Sequence, residues 1–232
     1  TKPYWKHKHI CLVCEKYSAQ AQESGYCFFK HCMEQGEEKN LGKQIYYIID
    51  KDSPDRAKLA PYSKRVVDFM SIRHMIYTQA AELFVSSDSR YHSYAFKSRH
   101  SVFNRYLKKF PTVFLQHGVI SFKCVPSFAK GRKLSCDLFV VSTEKERQIV
   151  IDYLNYSPEQ VINTGLPRWD VLEDKSQDKR EILIMPTWRY SMEIISDNDF
   201  DTSEYFLKYT SLLNSPRLAQ ILEDNDLQVN FY

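Results

Sequence analysis

Residues 9–15 read HICLVCE, a short and almost wholly apolar run with a polar residue at each end. Such a run is typical of a strand that is buried on both faces of a sheet. QIYYIID (44–50) has the same character, and residues 18–35 between the two runs carry apolar side chains at helical spacing. A strand, a helix and a second strand in this order predict a parallel α/β sheet.

The same alternation continues along the chain. Ser71 and Thr143 stand at the starts of two helical patterns, where a hydroxyl can accept a hydrogen bond from the first turn. Gly118 follows an apolar run and is expected to let the chain turn sharply there. The pattern predicts strands over 65–69, 83–87, 111–118, 138–142 and 161–165, and helices over 71–82 and 143–154.

A polar segment divides the chain. Residues 166–180 have few core side chains, which is typical of an interdomain linker, so 1–165 are predicted to form the first domain. Residues 181–232 then predict a strand over 181–188, a helical stretch over 202–225 and a final strand. A nucleotide-binding half is built from several βαβ units of about 30 residues each, so we expect this second domain to be incomplete.

Composition excludes several classes of protein. Hydrophobic residues make up 43% of the sequence and charged residues 26%, which favours a packed globular core over disorder. The formal net charge of +3 is too balanced for a protein that coats nucleic acid, so no nucleic-acid partner is expected. No apolar run reaches the length of a membrane-spanning helix, and the N-terminal TKPYWKHKH lacks the apolar region of a signal peptide. We therefore expect a cytoplasmic location.

The six cysteines do not predict a metal site. Cys11 and Cys14 form a CxxC pair, but an offset of three in a strand places their side chains on opposite faces. Cys27 and Cys32, five apart in a predicted helix, also diverge around its axis. We expect reduced structural thiols and no metal or cofactor.

Three polar segments follow predicted strands, at the edge where open α/β sheets bind ligands. In FLQHG (114–118), His117 can act as a general base near neutral pH; alternatively, it only hydrogen-bonds a neighbouring loop. Arg168 in GLPRWD (165–170) can neutralise a phosphate; alternatively, it forms a surface pair with Asp170. MPTWR (185–189) suits a nucleotide or sugar phosphate, or is an ordinary strand end with an exposed arginine.

Two basic segments are weaker candidates. Lys123 follows His117 by six residues and can contact an anionic acceptor, although most loop lysines are simply solvated. Residues 90–100 mix basic and aromatic side chains, which suits an anionic polymer or lipid headgroups, or a solvated loop.

Taken together and in order, these segments resemble the CDP-glycerol glycerophosphotransferase family, which includes teichoic-acid and capsule polymerases. FLQHGVISFK (114–123), TGLPRWDVL (164–172) and ILIMPTWR (182–189) are similar to the family's HG, glycine-proline-arginine and APTWR elements. GYCFFK (25–30) and YYIIDKDSPD (46–55) are similar to parts of its first domain. The resemblance spans about residues 9 to 232.

This resemblance implies a GT-B-like fold, with a Rossmann-type acceptor-side domain and the start of a second, Rossmann-like domain for the nucleotide donor. It implies transfer of a polyol phosphate from CDP-glycerol, or another CDP-polyol, to a lipid-linked polyol-phosphate or glycan acceptor, with CMP released. The enzyme would be peripheral on the inner face of the cell membrane, where an anionic surface is a further partner. His117 would be the catalytic base, and the implied substrate-binding residues are Gly118, Lys123, Arg168, Thr187, Trp188 and Arg189.

The sequence also departs from the family. VISFK (119–123) stands where teichoic-acid polymerases have TPLK, which leaves the acceptor open. The family's donor-phosphate histidine and acidic-serine element have no counterpart up to Tyr232, so we expect this chain alone to be inactive and to bind CDP-glycerol weakly. Two alternatives stay open: a GT-B glycosyltransferase that uses a nucleotide sugar, and a non-catalytic module that docks a polymer or membrane.

Overall fold

The computed structural model describes residues 2–95, 111–120, 125–177, 179–186, 189–192 and 194–232. The chain divides into two compact units, Thr1–Leu172 and Glu173–Tyr232. The first unit therefore includes the start of the segment that the sequence assigned to a linker. Leu166, in that segment, is buried.

A parallel sheet of seven strands forms the centre of the first unit as the structure describes it. Its order is β3-β2-β1-β4-β5-β6-β7, and every neighbouring pair is parallel. The order reverses direction between β1 and β4, as in doubly wound nucleotide-binding folds. The Rossmann-type sheet predicted from the sequence is confirmed. The strands are β1 Ile10–Cys14, β2 Gln44–Ile49, β3 Val66–Asp68, β4 Leu83–Ser86, β5 Thr112–Phe114, β6 Leu138–Val141 and β7 Val161–Asn163.

Helices connect these strands. Ser71 and Thr143 cap two of them as predicted: each hydroxyl oxygen accepts a hydrogen bond, at 3.1 Å, from the backbone N–H three residues later. The described α-helices of this unit are α1 Lys2–Lys6, α2 Ser24–Glu34, α3 Glu38–Leu41, α4 Ile72–Ala80 and α5 Glu144–Leu154.

Helix α2 begins later than predicted. The sequence favoured a helix from residue 18, but Lys16, Tyr17 and Ser18 all have positive φ angles, between 44° and 62°. Three successive left-handed residues cannot continue into a right-handed helix. The chain instead makes a tight turn after β1, and helix α2 starts at Ser24.

The core lies on both faces of the sheet. β1 is buried along its whole length, so its alternate side chains serve opposite faces. Cys11 packs with Phe29 of α2, whereas Cys14 packs with Tyr77 of α4. The predicted divergence of the two thiols is confirmed. Complete burial of a side chain such as Phe29 contributes about 1.5–3 kcal/mol to folding.

The second unit contains a pair of parallel strands, β8 Glu181–Ile184 and β9 Gln228–Phe231. The long helical stretch predicted over 202–225 is interrupted at Pro216, which has no N–H to continue a helix and instead starts a new one. Between the strands lie the helices α6 Asp197–Asp201, α7 Glu204–Leu213 and α8 Pro216–Asn225.

Candidate active site

His117 lies at the carboxyl edge of the seven-stranded sheet, close to the end of the neighbouring strand. Ser86 of β4 is paired with Phe114 of β5, so the residues after both strands meet. The Nδ1 atom of His117 is 2.9 Å from the carbonyl oxygen of Ser87. A carbonyl only accepts hydrogen bonds, so Nδ1 carries the proton of the neutral ring and Nε2 keeps its lone pair. The side chain is 46% exposed, which leaves it accessible to a substrate.

Asp88 provides a negative charge beside this histidine. Its Oδ1 lies 3.5 Å from Nδ1 of His117 and 3.8 Å from Nδ1 of His92. Its other oxygen accepts a hydrogen bond from the backbone N–H of Lys16. Burial raises the pKa of Asp88, but the neighbouring His92 and His117 and the hydrogen bond from the Lys16 N–H outweigh it, so the pKa is below its ordinary value. The aspartate therefore stays ionised and can stabilise an imidazolium.

Asp88 is not among the site residues predicted from the sequence. It lies in the polar run that follows the predicted strand over 83–87. The strands that precede Asp88 and His117 are neighbours in the sheet, which places the two residues close together. The order of strands in a sheet does not follow from the pattern of apolar runs. A polar residue just after a strand was the available signal.

The turn that presents His117 differs from the prediction. The strand predicted over 111–118 ends at Phe114, and the left-handed residue is Gln116, with φ of 59°. The chain bends at His117 and Gly118, as predicted, but Gly118 does not have a positive φ, so the bend does not use the left-handed conformation that favours glycine. A Cβ atom added to Gly118 would meet no atom of the described residues within 4 Å. Within that part of the chain, the backbone after His117 therefore borders open space.

A buried carboxylate fixes the start of α2. Glu15 is fully buried, and its side chain accepts hydrogen bonds from the backbone N–H groups of Gln22, Glu23 and Tyr26. Burial raises the pKa of Glu15 although these three donors act to lower it. An added Cβ at Gly25 would lie 3.0 Å from Glu15 Oε2 and 3.1 Å from the carbonyl oxygen of Cys14, so a larger residue here would crowd the Glu15 network.

Arg168 is held by an ion pair within the first unit. It belongs to a short 3₁₀ helix, Pro167–Val171, that packs against α2. Its Nη1 atom lies 2.7 Å from Glu23 Oε2, and Lys16 Nζ lies 3.7 Å from Glu23 Oε1. Two cations therefore face one carboxylate. The predicted surface pair of Arg168 with Asp170 is not the ion pair that forms.

A cavity of about 400 Å³ lies between α2 and the segment after β7. Thr164, Gly165 and Asp170 line one side, and Lys30 and His31 line the other. Gly165 has a φ of 79°, a conformation that favours glycine, and the chain turns there. Gly165 and Pro167 of the predicted glycine-proline-arginine element thus line this cavity.

Four predicted site residues lie outside the described part of the first unit. Arg189 belongs to the second unit and is exposed. Lys123, Thr187 and Trp188 lie outside the described residues, so their predicted roles remain predictions.

The basic and aromatic segment over 90–100 is described only as far as residue 95. The Nη2 atom of Arg90 donates to Thr112 Oγ1 at 3.0 Å and to the carbonyl oxygen of Ser135 at 2.8 Å. The His92 ring stacks on Tyr17, with ring centroids 3.8 Å apart. Both side chains therefore make contacts within the protein.

The cysteines with described positions are free thiols: Cys11, Cys14, Cys27, Cys32 and Cys136. Burial raises the pKa of Cys14 to about 12, which keeps it protonated and unreactive. Among the described residues, no group of three or more His, Cys, Asp or Glu side chains is placed to hold a metal ion. Within the same residues, no helix is both long and apolar enough to cross a membrane.

Comparison with known proteins gives a consistent result. The model of the family described as CDP-Glycerol:Poly(glycerophosphate) glycerophosphotransferase matches residues 15–229. The minor teichoic acid biosynthesis protein GgaB of Bacillus subtilis (strain 168) is 32% identical over 223 residues. That match covers 92% of this chain and 24% of GgaB, so the chain spans about a quarter of this curated relative.

Solved structures of the wall teichoic acid polymerase TagF have a similar fold. A variant of TagF superposes with a TM-score of 0.51 at 13% identity and covers 84% of this chain and 51% of that chain. A further TagF structure has a TM-score of 0.50 at 12% identity, over 88% and 55% of the two chains. At this level of identity the likeness concerns the fold, and it agrees with the GT-B-like class expected from the sequence.

Proposed function

Because this chain belongs to the CDP-glycerol:poly(glycerophosphate) glycerophosphotransferase family, we propose that the protein moves glycerol phosphate, or a related polyol phosphate, from a CDP-linked donor to a cell-wall or capsule polymer. The residues of the first unit supply the acceptor side and the base. The observation that carries this proposal is the hydrogen bond from His117 Nδ1 to the carbonyl oxygen of Ser87, which leaves Nε2 as an acceptor for a proton.

In the proposed step, Nε2 of His117 takes the proton of an acceptor hydroxyl. The hydroxyl oxygen attacks the β-phosphorus of CDP-glycerol and forms a new O–P bond. The bond between the β-phosphorus and the oxygen that bridges to the α-phosphorus breaks, and CMP leaves with that oxygen and its electron pair. The imidazolium that results is stabilised by Asp88, 3.5 Å away. No covalent enzyme intermediate is required.

Two further residues fit the transfer. The described residues leave open space at Gly118, which allows the acceptor to approach the backbone beside His117. Arg168 carries a charge that can stabilise a phosphate, once the phosphate competes with Glu23 for its guanidinium. Lys123, Thr187, Trp188 and Arg189 are proposed as further substrate contacts from their positions in the motifs alone.

The lipid-linked acceptor requires the enzyme to work at a membrane. We propose peripheral association with the inner face of the cell membrane through basic and aromatic residues between 90 and 105. Such a surface acts by charge, so the association weakens as ionic strength rises.

A donor panel tests the proposed reaction. The full-length gene product is incubated with its acceptor and CDP-glycerol, CDP-ribitol or UDP-glucose, and the released nucleotide is measured. We expect CMP release from a CDP-polyol and no UDP release. Release of UDP from the sugar donor, or no release from either CDP-polyol, would overturn the proposal.

A further inference from the structure

A second buried carboxylate lies behind the loop that carries His117. Glu146, in the first turn of α5, is 2% exposed. Its Oε2 accepts hydrogen bonds from the N–H of Ser142 at 2.7 Å and from the Ser142 hydroxyl at 2.8 Å. Its Oε1 accepts from the N–H of Ile120 at 2.6 Å and from Gln116 Nε2 at 3.2 Å.

Two of these donors lie on either side of the candidate base. Gln116 immediately precedes His117, and Ile120 follows it by three residues. One carboxylate oxygen therefore joins both ends of the loop 116–120, while the other oxygen is fixed to Ser142 at the end of the adjacent strand.

The backbone of the loop needs this support. Gln116 has a left-handed φ of 59°, which is unfavourable for a residue other than glycine. Its side-chain amide donates to Glu146 and also to the carbonyl oxygen of Val140 at 2.7 Å. Both partners only accept, so both amide protons are used and the side chain has one orientation. Gln116 itself is 1% exposed.

We propose that Glu146 is a positioning residue for His117: it holds the loop 116–120 in the conformation that keeps Nδ1 on Ser87 and directs Nε2 to the acceptor. The inference rests on the proposed role of His117 as the base. Glu146 itself contacts neither substrate nor the imidazole, so its effect passes through the geometry of the loop. A displacement of about 1 Å at a catalytic group can lower the rate about 100-fold.

The first test uses this chain and does not depend on activity. In Glu146→Gln, an NH₂ group replaces one carboxylate oxygen and faces N–H donors, so some of the four hydrogen bonds are lost. The ¹⁵N shifts of the His117 ring report which nitrogen carries the proton. We expect a single Nδ1–H tautomer in the wild type and a mixture in Glu146→Gln. Glu144→Gln, at an exposed position of the same helical turn that pairs only with Arg147 among the described residues, should keep the wild-type spectrum.

The second test is a double-mutant cycle in the full-length protein. Glu146→Gln should lower kcat by about 10–100-fold with a change in KM below about threefold, because the base is displaced while substrate binding is unchanged. In a His117→Ala background the same change should have no further effect, since Glu146 acts through His117. A purely structural role would lower the rate in both backgrounds.

The outcomes separate the two hypotheses. If His117→Ala retains full activity, the proposed function fails. If His117→Ala is inactive but a folded Glu146→Gln keeps its kcat and its single His117 tautomer, the positioning role is wrong. Should Glu146→Gln not fold, Gln116→Met removes one arm of the network at similar volume, and it must then show the same mixed tautomer and reduced kcat.

Discussion

His74 gives a quantitative test of the fold of the first unit. It is 1% exposed, its Nδ1 accepts a hydrogen bond from the N–H of Met70 at 3.0 Å, and its Nε2 has no partner among the described residues. Burial lowers the pKa of His74 from 6.5 to about 4. Among the described residues a charged imidazole would have no acceptor there, so the ring is neutral when the unit is folded.

The sign of the pH effect follows from proton binding. Below a pH of about 6.5 the unfolded chain binds a proton at His74 and the folded chain does not, so stability falls as pH falls. The shift from 6.5 to about 4 corresponds to about 3 kcal/mol over the whole range. About 2 kcal/mol of this is lost between pH 7 and pH 5.

Urea unfolding of this chain at both pH values, followed by far-UV circular dichroism, measures the loss. His74→Asn keeps an acceptor near the N–H of Met70 but cannot be protonated, so its pH dependence should be smaller by about 2 kcal/mol. His31→Asn, at an exposed position of α2, is the matched control and should behave as the wild type. Equal pH dependence in His74→Asn and the wild type would refute the reasoning.

Three further changes test the site and its surroundings. Gly25→Ala places a methyl group against Glu15 Oε2 and the Cys14 carbonyl oxygen. It should lower the free energy of unfolding by about 1–3 kcal/mol. An unchanged urea midpoint would mean that the Glu15 side chain moves aside at no cost in stability, which contradicts the prediction. Arg168→Ala in the full-length protein should lower CMP release by about tenfold or more, with Arg168→Lys intermediate; full release in Arg168→Ala would argue against a phosphate contact. Sedimentation with anionic liposomes should weaken as salt rises, whereas binding that is absent or independent of salt would contradict peripheral association.

The strands and helix caps were largely predictable because they depend on local pattern. Apolar runs identified the sheet, and Ser71 and Thr143 identified two helix starts. The boundaries that failed depend on contacts distant in sequence. Helix α2 starts late because three left-handed residues follow β1, and the buried Glu15 then accepts hydrogen bonds from the N–H groups of Glu23 and Tyr26 at the helix start, which no local pattern around Ser24 indicates.

The candidate site was only partly predictable for the same reason. His117 follows an apolar run and could be named from the sequence, but its neighbour Asp88 depends on the adjacency of β4 and β5. Glu146 had a signal, because Thr143 and a glutamate three residues later match a capping box. The structure uses this glutamate differently: its carboxylate binds Ser142 and the His117 loop instead of the N-cap backbone.

The most direct test of the account is the rate of CMP release from CDP-glycerol by the full-length protein with His117→Ala. As the proposed general base, His117 should contribute roughly 10²–10⁴-fold to turnover, so the variant should lose that factor while its unfolding transition stays at the wild-type position. A loss of less than about tenfold in a variant with an unchanged transition would contradict the assignment of His117 as the base.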